Sequence, residues 1–118
     1  AEAQAHGGMS MALGFALTEE LKYNDKGRIL NDNLLDYKLG TTTDTPDLEV
    51  YFLENPEPTS PFNTKSLREP PTFSPAPAIR NSLLNATGIA FDEIPLTPHR
   101  LIPRFIEEGL LEDLTKED

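Results

Sequence analysis

The first part of the chain carries apolar residues at helical spacing. These residues are Met9, Leu13, Ala16 and Leu17, with Met11, Phe15 and Leu21 beside them. The pattern predicts a helix over 4–21, and we expect it to be buried because so much of its surface is apolar. Gly7, Gly8 and Gly14 each cost this helix about 1 kcal/mol. Two explanations stay open, which are close packing against another backbone and an N-terminus whose free amides receive an anion.

Short extended segments after this helix predict a small mixed sheet. Asn24 to Gly27 read as a hairpin turn, because Gly27 can adopt a positive φ. A strand is predicted over 48–53, where apolar and polar positions alternate. Pro46 and Pro56 limit this strand, because proline cannot continue the hydrogen-bond ladder.

The segment 55–77 holds most of the 11 prolines. A disordered linker is one interpretation of such a composition. Phe62, Leu67 and Phe73 lie among the prolines, and linkers rarely contain such side chains. We therefore favour an ordered loop with its own packing, of the kind that carries function.

Two further helices are predicted after this loop. Ser74 is a candidate cap for a helix that runs from Pro75 to Thr87 and stops at Gly88. The same signal recurs later, with Thr97 as the cap, Pro98 as the first helical residue and Pro103 as a limit or kink. The predicted fold class is α+β: a small mixed sheet with a glycine-containing buried helix before it and helices after it.

Composition changes this picture by indicating that the fold is incomplete. Only 37% of the 118 residues are hydrophobic, and they are dispersed. A domain this small must bury roughly two-thirds of its unfolded surface, so we expect a fragment or subunit that buries apolar surface against a partner. The first residue is not methionine, which agrees with that expectation.

Charge and residue content exclude several functions. The net charge of −10 argues against nucleic-acid partners, because few side chains could neutralise phosphates. No cysteine is present, so the chain cannot hold disulfides, zinc thiolate sites or iron–sulfur clusters by itself. No apolar run approaches the roughly 20 residues of a membrane span.

One carboxylate is a candidate for chemistry. Glu69 stands between Arg68 and two prolines in "KSLREPP". Pro70 should push Glu69 into an extended conformation and Pro71 should stiffen the chain after it. If the loop faces a pocket, Glu69 would be preorganised as a general base. The alternative, favoured by these residues taken alone, is a surface glutamate paired with Arg68.

Several motifs in order resemble one enzyme family. "QAHGGMSMALG" resembles a Gln-x-Glu-Gly-Gly helix start, "NLLDYKL" an Asp-Tyr-Lys segment, and "KSLREPP" a Gly-Glu-Pro-Pro loop. "APAIRNSLLNATG" and "IPLTPHRLI" continue the order. The family that these motifs resemble is that of the molybdenum hydroxylases. The matching motifs lie in the C-terminal part of the molybdopterin-binding subunit of xanthine dehydrogenase and aldehyde oxidoreductase. The resemblance covers 1–103 as part of a molybdopterin-binding domain and leaves 104–118 as an acidic tail.

The resemblance implies roles for individual residues. Glu69 aligns with the family's catalytic base for hydroxylation of a heteroaromatic ring or an aldehyde carbon. Gln4, Gly7 and Gly8 align with positions near the molybdopterin cofactor. Arg68 stands where the family has glycine, and an arginine at this position must keep an ordinary φ. We expect Arg68 and Lys65 to modulate substrate binding. An arginine that paired with Glu69 would instead weaken the base and leave a catalytically silent scaffold subunit.

The resemblance also implies cofactors and partners. The molybdenum–molybdopterin cofactor would be bound jointly with the remainder of the molybdopterin-binding subunit. Iron–sulfur clusters and FAD would lie only in partner subunits, an iron–sulfur subunit and often a FAD subunit. We expect a small-molecule substrate, a cytoplasmic location, and no activity of the isolated chain.

Overall fold

The computed structural model describes residues 1–113 and is built from four helices. These are α1 (Glu2–Leu17), α2 (Pro70–Phe73), α3 (Pro75–Thr87) and α4 (Pro98–Glu107), and a 3-10 turn spans Pro61–Asn63. Helix α1 packs against α2 and α3, which also contact each other. The chain between α1 and the 3-10 turn is irregular.

The predicted mixed sheet is wrong. Within residues 1–113 the only β-type pairing is one antiparallel bridge between Tyr23 and Ile29. The segment 48–53 is irregular and largely exposed. A strand requires a neighbour for its backbone groups, and the described part of the chain places none beside this segment.

The turn at Asn24 forms as its sequence predicts, although no strands extend from it. Gly27 has a φ of +75°, and its amide donates to the Asn24 carbonyl at 2.9 Å. The Asn24 side chain accepts from the amides of Lys26 at 3.0 Å and Arg28 at 2.9 Å. These bonds close the turn locally, and only one bridge follows it.

Helix α1 buries a stripe of small residues. Ala5, Ala12 and Ala16 are buried together with Gly8, whereas Met11 is 63% exposed. Because small side chains allow backbones to approach closely, this stripe lets α1 pack directly on α2 and α3. The broad apolar burial expected of this helix is therefore confined to one side within the described chain.

The two helices after the loop begin and end close to their predicted positions. Helix α3 ends at Gly88, whose φ of +75° lets its amide donate to the Leu84 carbonyl at 2.8 Å. Neither Ser74 nor Thr97 makes a side-chain cap bond. Helix α4 continues past Pro103 to Glu107, and the last five residues of the predicted tail lie outside the described residues.

A polar junction connects the end of α1 to the start of α4. The Leu96 amide donates to the Ala16 carbonyl at 2.7 Å. Glu20 accepts a hydrogen bond from Arg100 at 2.5 Å, and Arg100 also donates to the Ile94 carbonyl at 2.7 Å. This junction fixes α4 relative to α1, although the two helices do not pack on each other.

The chain is more extended than a self-contained domain. Its radius of gyration is 18.8 Å and its extents are 69 × 36 × 27 Å, whereas a compact domain of this length has a radius of about 13.5 Å. No large side chain among residues 1–113 is fully buried, and Tyr51, Leu53 and Phe62 are at least 82% exposed. These surfaces support the expectation that the segment is completed by further protein. Among the described residues, no helix is long and apolar enough to cross a membrane.

The loop 55–77 does not pack on its own aromatic side chains as expected. Phe62 is 96% exposed and Phe73 is 69% exposed, and only Leu67 is partly buried. Phe62 also has a φ of 55°, an uncommon conformation for a bulky residue. The loop is instead shaped by short polar contacts, such as the bond from the Ser60 hydroxyl to the Thr64 carbonyl.

Asn31 is the buried polar side chain on which the segment after α1 depends. Its side chain accepts from the Lys22 amide at 2.9 Å and donates to the Glu20 carbonyl at 2.7 Å. Asn31→Ala leaves both backbone groups without a partner, so hydrogen exchange over 18–32 should accelerate roughly 10- to 100-fold in the complete protein. Asn33→Ala, which removes three exposed hydrogen bonds to Leu35 and Asp36, is the control. Unchanged exchange in Asn31→Ala would contradict this role.

Candidate functional site

An open pocket of about 590 Å³ lies between α1 and the start of α2. Helix α1 contributes Gln4, Gly7, Gly8 and Met11 to its wall, and the second segment contributes Arg68, Glu69, Thr72 and Phe73. Five of the six residues singled out in the sequence therefore meet at one opening. Lys65 is exposed and is not part of the wall.

Glu69 is placed by the first turn of α2. Its φ of −84° and ψ of −37° are helical, so the prediction that Pro70 would hold it extended is wrong. The carbonyl of Glu69 accepts from the Thr72 amide at 2.9 Å. Proline suits the first positions of a helix, where no amide donor is required, and this preference prevails over the weaker bias against a helical residue before proline. The exposed carboxyl group thus sits on a short, proline-stiffened turn.

Gly8 sets the distance between the two walls. A Cβ atom at this position would lie 2.8 Å from the Pro71 Cβ and 3.2 Å from the Thr72 hydroxyl. The close-packing explanation therefore applies to Gly8, which brings α1 against the turn that carries Glu69. Its alignment with a cofactor position stays a prediction, since it also lines the pocket.

Gly7 has a different environment from its neighbour. A Cβ atom there would meet nothing within 4 Å, and the residue is exposed to the pocket. The packing of the described chain therefore does not require glycine at this position. A ligand that approaches the bare backbone would require it.

Arg68 is accommodated without backbone strain. The only non-glycine residues with positive φ in residues 1–113 are Phe62 and Asn63. No ion pair within 4.0 Å joins Arg68 to Glu69 or to any other carboxylate of the described chain. The two adjacent side chains therefore both remain available to the pocket.

Met11, Thr72 and Phe73 complete the pocket and were not predicted as site residues. Met11 lies one helical turn after Gly7, and Phe73 one turn after Glu69. Helical spacing would have placed Met11 beside the glycines, but its apolar character favoured assignment to a buried face. Phe73 could not be found this way, because α2 was not predicted.

The Asp-Tyr-Lys segment supports the end of α1. Tyr37 donates to the Glu19 carboxylate at 2.7 Å, and this hydrogen bond is the main reason that the pKa of Tyr37 is raised. Glu19 occupies the space that a side chain at Gly14 would need. His6 does not line the Glu69 pocket but a separate opening that Thr45 also lines, and its Nε2 is buried without a hydrogen-bond partner in the described chain.

Comparison with known proteins gives this pocket a context. Residues 1–46 match the molybdopterin cofactor-binding domain family. The chain is 50% identical over 112 residues to the xanthine dehydrogenase molybdenum-binding subunit of Escherichia coli O157:H7, which covers 94% of this chain and 15% of that protein. It is 35% identical over 106 residues to the aldehyde oxidoreductase molybdenum-binding subunit PaoC of Escherichia coli K12, which covers 88% of this chain and 14% of that protein.

Solved structures share the fold of this segment. Quinoline 2-oxidoreductase from Pseudomonas putida 86 superimposes with a TM-score of 0.79 at 33% identity, over 86% of this chain and 13% of that chain. Reconstituted CO dehydrogenase from Oligotropha carboxidovorans gives a TM-score of 0.83 at 27% identity, over 92% of this chain and 14% of that chain. The helices and irregular connections of this chain therefore have the same arrangement as the corresponding parts of these much longer chains.

Together these similarities define a segment of a molybdenum hydroxylase large subunit, with a molybdopterin cofactor-binding domain over its first 46 residues. The chain belongs to the xanthine dehydrogenase and aldehyde oxidoreductase family of molybdenum-binding subunits, which confirms the resemblance. It spans about 15% of the length of the curated relatives that it matches.

Proposed function

We propose that this chain contributes the general base and one wall of the cofactor site to a molybdenum-dependent hydroxylase. The observation that carries the proposal is the shared pocket, in which Glu69 faces the same opening as Gln4 and Gly7. The named relatives are dehydrogenases and oxidoreductases with molybdenum-binding subunits. The substrate would be a heteroaromatic ring or an aldehyde.

The residues present fit a molybdopterin cofactor. Gly7 leaves the α1 backbone open toward the pocket, with free space where a side chain would project. Gln4, which is exposed one turn earlier on the same helix, offers an amide that can donate and accept hydrogen bonds. Only one carboxylate, that of Glu69, lines the pocket, so a cofactor with anionic groups meets little repulsion.

Glu69 would remove a proton from the oxygen nucleophile that attacks the substrate carbon. The bound cofactor supplies the two-electron oxidation. The chain contributes position, because a base held on a proline-stiffened turn loses little entropy when the reactants align. With no carboxylate–arginine pair at Arg68, the carboxylate is free to accept the proton.

We further propose that the rest of the large subunit completes the pocket. The opening has walls only from α1 and the α2 segment, and Met11 and Phe73 remain exposed. Iron–sulfur clusters would belong to a partner subunit, because the absence of cysteine leaves this chain without thiolate ligands for such clusters. FAD would lie in a further partner subunit, and the complex would be cytoplasmic.

The test is steady-state turnover of the complete enzyme with Glu69→Gln, with molybdenum measured in the same preparation. Loss of turnover with molybdenum retained supports Glu69 as the base. Normal turnover would overturn that role, and a complex without molybdenum would support the scaffold alternative instead.

A further inference from the structure

We propose that Arg68 is a specificity-determining residue that binds an anionic substituent, a carboxylate, on the substrate. This inference rests on the proposed function, because it takes the Glu69 pocket as the substrate site. It adds the chemical class of the substrate: a ring or aldehyde that carries a negative charge away from the reacting carbon.

The position of Arg68 is the first argument. It lines the same opening as Glu69 and is exposed there. It precedes the proposed base directly in the chain and has an ordinary φ, so the turn that fixes Glu69 also fixes the origin of the arginine side chain. A group bound by Arg68 would therefore be held at a defined distance from the base.

The second argument is that this guanidinium has no carboxylate partner among residues 1–113. Arg80, Arg100 and Arg104 each pair with a carboxylate of the described chain. Arg68 and Arg28 make no such pair there, and of these two only Arg68 lines the pocket. A guanidinium binds a planar carboxylate with two parallel hydrogen bonds, and that capacity is unused at Arg68.

The surrounding side chains select the rest of the ligand. Phe73 and Met11, which are 69% and 63% exposed, give the pocket apolar surface that suits a ring. The negative charge of Glu69 repels an anion that comes too near. A substrate is therefore oriented with its carboxylate on Arg68 and its reacting carbon toward Glu69, so the two groups occupy different positions on the molecule.

An anion at Arg68 could also come from the cofactor, whose phosphate has related chemistry. The two sources differ in what the loss of Arg68 changes. Loss of a phosphate contact lowers cofactor content and affects every substrate equally. Loss of a substrate contact changes only the binding of charged substrates.

The experiment compares acids with their neutral esters in the complete enzyme. The probes are nicotinate with methyl nicotinate, and 4-carboxybenzaldehyde with its methyl ester. Equilibrium binding is measured by calorimetry, and KM and kcat are measured alongside. The variants are Arg68→Gln and Arg68→Lys, with Arg28→Gln as a control that removes the same charge from the exposed turn outside the pocket.

The wild-type enzyme should bind at least one acid more tightly than its ester. Arg68→Gln should weaken binding of that acid by roughly 10- to 100-fold and leave the ester within about twofold. Arg68→Lys should restore part of the loss, and Arg28→Gln should change neither ligand.

Three results would overturn the inference: no preference of the wild-type enzyme for either acid, an equal change for acid and ester, or a fall in molybdenum content in Arg68→Gln. The last result would assign Arg68 to the cofactor. Calorimetric binding does not require turnover, so a failure of Glu69 as the base would leave this readout interpretable.

Discussion

Glu69→Gln in the complete enzyme is expected to lower kcat by roughly 10²- to 10⁴-fold, the range typical of removing a general base. Glutamine keeps the size of the side chain and its place at the start of α2, but it cannot accept the proton. The side chain is exposed and makes no cap hydrogen bond to α2 that the substitution would break. Molybdenum content and thermal stability should therefore remain unchanged.

A matched control separates loss of a base from a general disturbance. Glu54→Gln removes a carboxylate from an exposed position outside the pocket and should behave like the wild type. An equal fall of kcat in both variants would contradict the role of Glu69 as the base.

Local signals in the sequence predicted α3 and the start of α4. Helix α3 begins at Pro75 and ends before Gly88, and α4 begins at Pro98, each as its proline and glycine signals indicate. These features depend on interactions within a few residues, such as the bond from the Gly88 amide to the Leu84 carbonyl. Short-range interactions of this kind are determined by neighbouring residues of the sequence.

The sheet could not be predicted correctly, because a strand depends on a partner. The alternation at 48–53 is real, and Phe52 on its apolar face nevertheless remains 50% exposed. Alternation shows only which side chains would share a face. Whether the backbone finds a neighbour is a long-range property that alternation does not encode.

The sequence selected residues that share a pocket, and their roles stay predictions, but it did not predict how they meet. The motif resemblance selected Gln4, Gly7, Arg68 and Glu69, and all four line one pocket. Contact between α1 and the Pro71 turn is a long-range event with no local signal. The helical conformation of Glu69 was not predicted, because Pro70 has two opposing effects. Proline disfavours a helical residue before it, but it also suits the first position of a helix, and the second effect prevailed.

Gly8→Ala is expected to reduce turnover by about 100-fold without removing any functional group. The new methyl group would lie 2.8 Å from the Pro71 Cβ, a distance that such atoms essentially never adopt, and the proline ring cannot rotate away. Helix α1 and the Pro71 turn must separate, and Glu69 lies two residues before Pro71. A displacement of about 1 Å at the reacting groups can cost a factor of about 100 in rate.

Gly7→Ala is the contrasting variant, because the same methyl group on the same helix meets nothing within 4 Å of the described chain. Alanine also favours the helix by about 1 kcal/mol over glycine. If no ligand approaches the backbone at Gly7, this variant keeps full activity. If the cofactor approaches the bare backbone there, molybdenum content falls, whereas Gly8→Ala retains molybdenum and loses turnover.

The double variant Gly8→Ala with Pro71→Gly decides whether the Gly8 effect acts through the contact with Pro71. The Pro71→Gly substitution removes the Pro71 Cβ atom that the new methyl group would meet, although the Thr72 hydroxyl at 3.2 Å remains close. Partial recovery of kcat relative to Gly8→Ala would show that the distance between α1 and this turn positions Glu69. No recovery, with molybdenum retained in both variants, would contradict that coupling and place the sensitivity of Gly8 in the pocket itself.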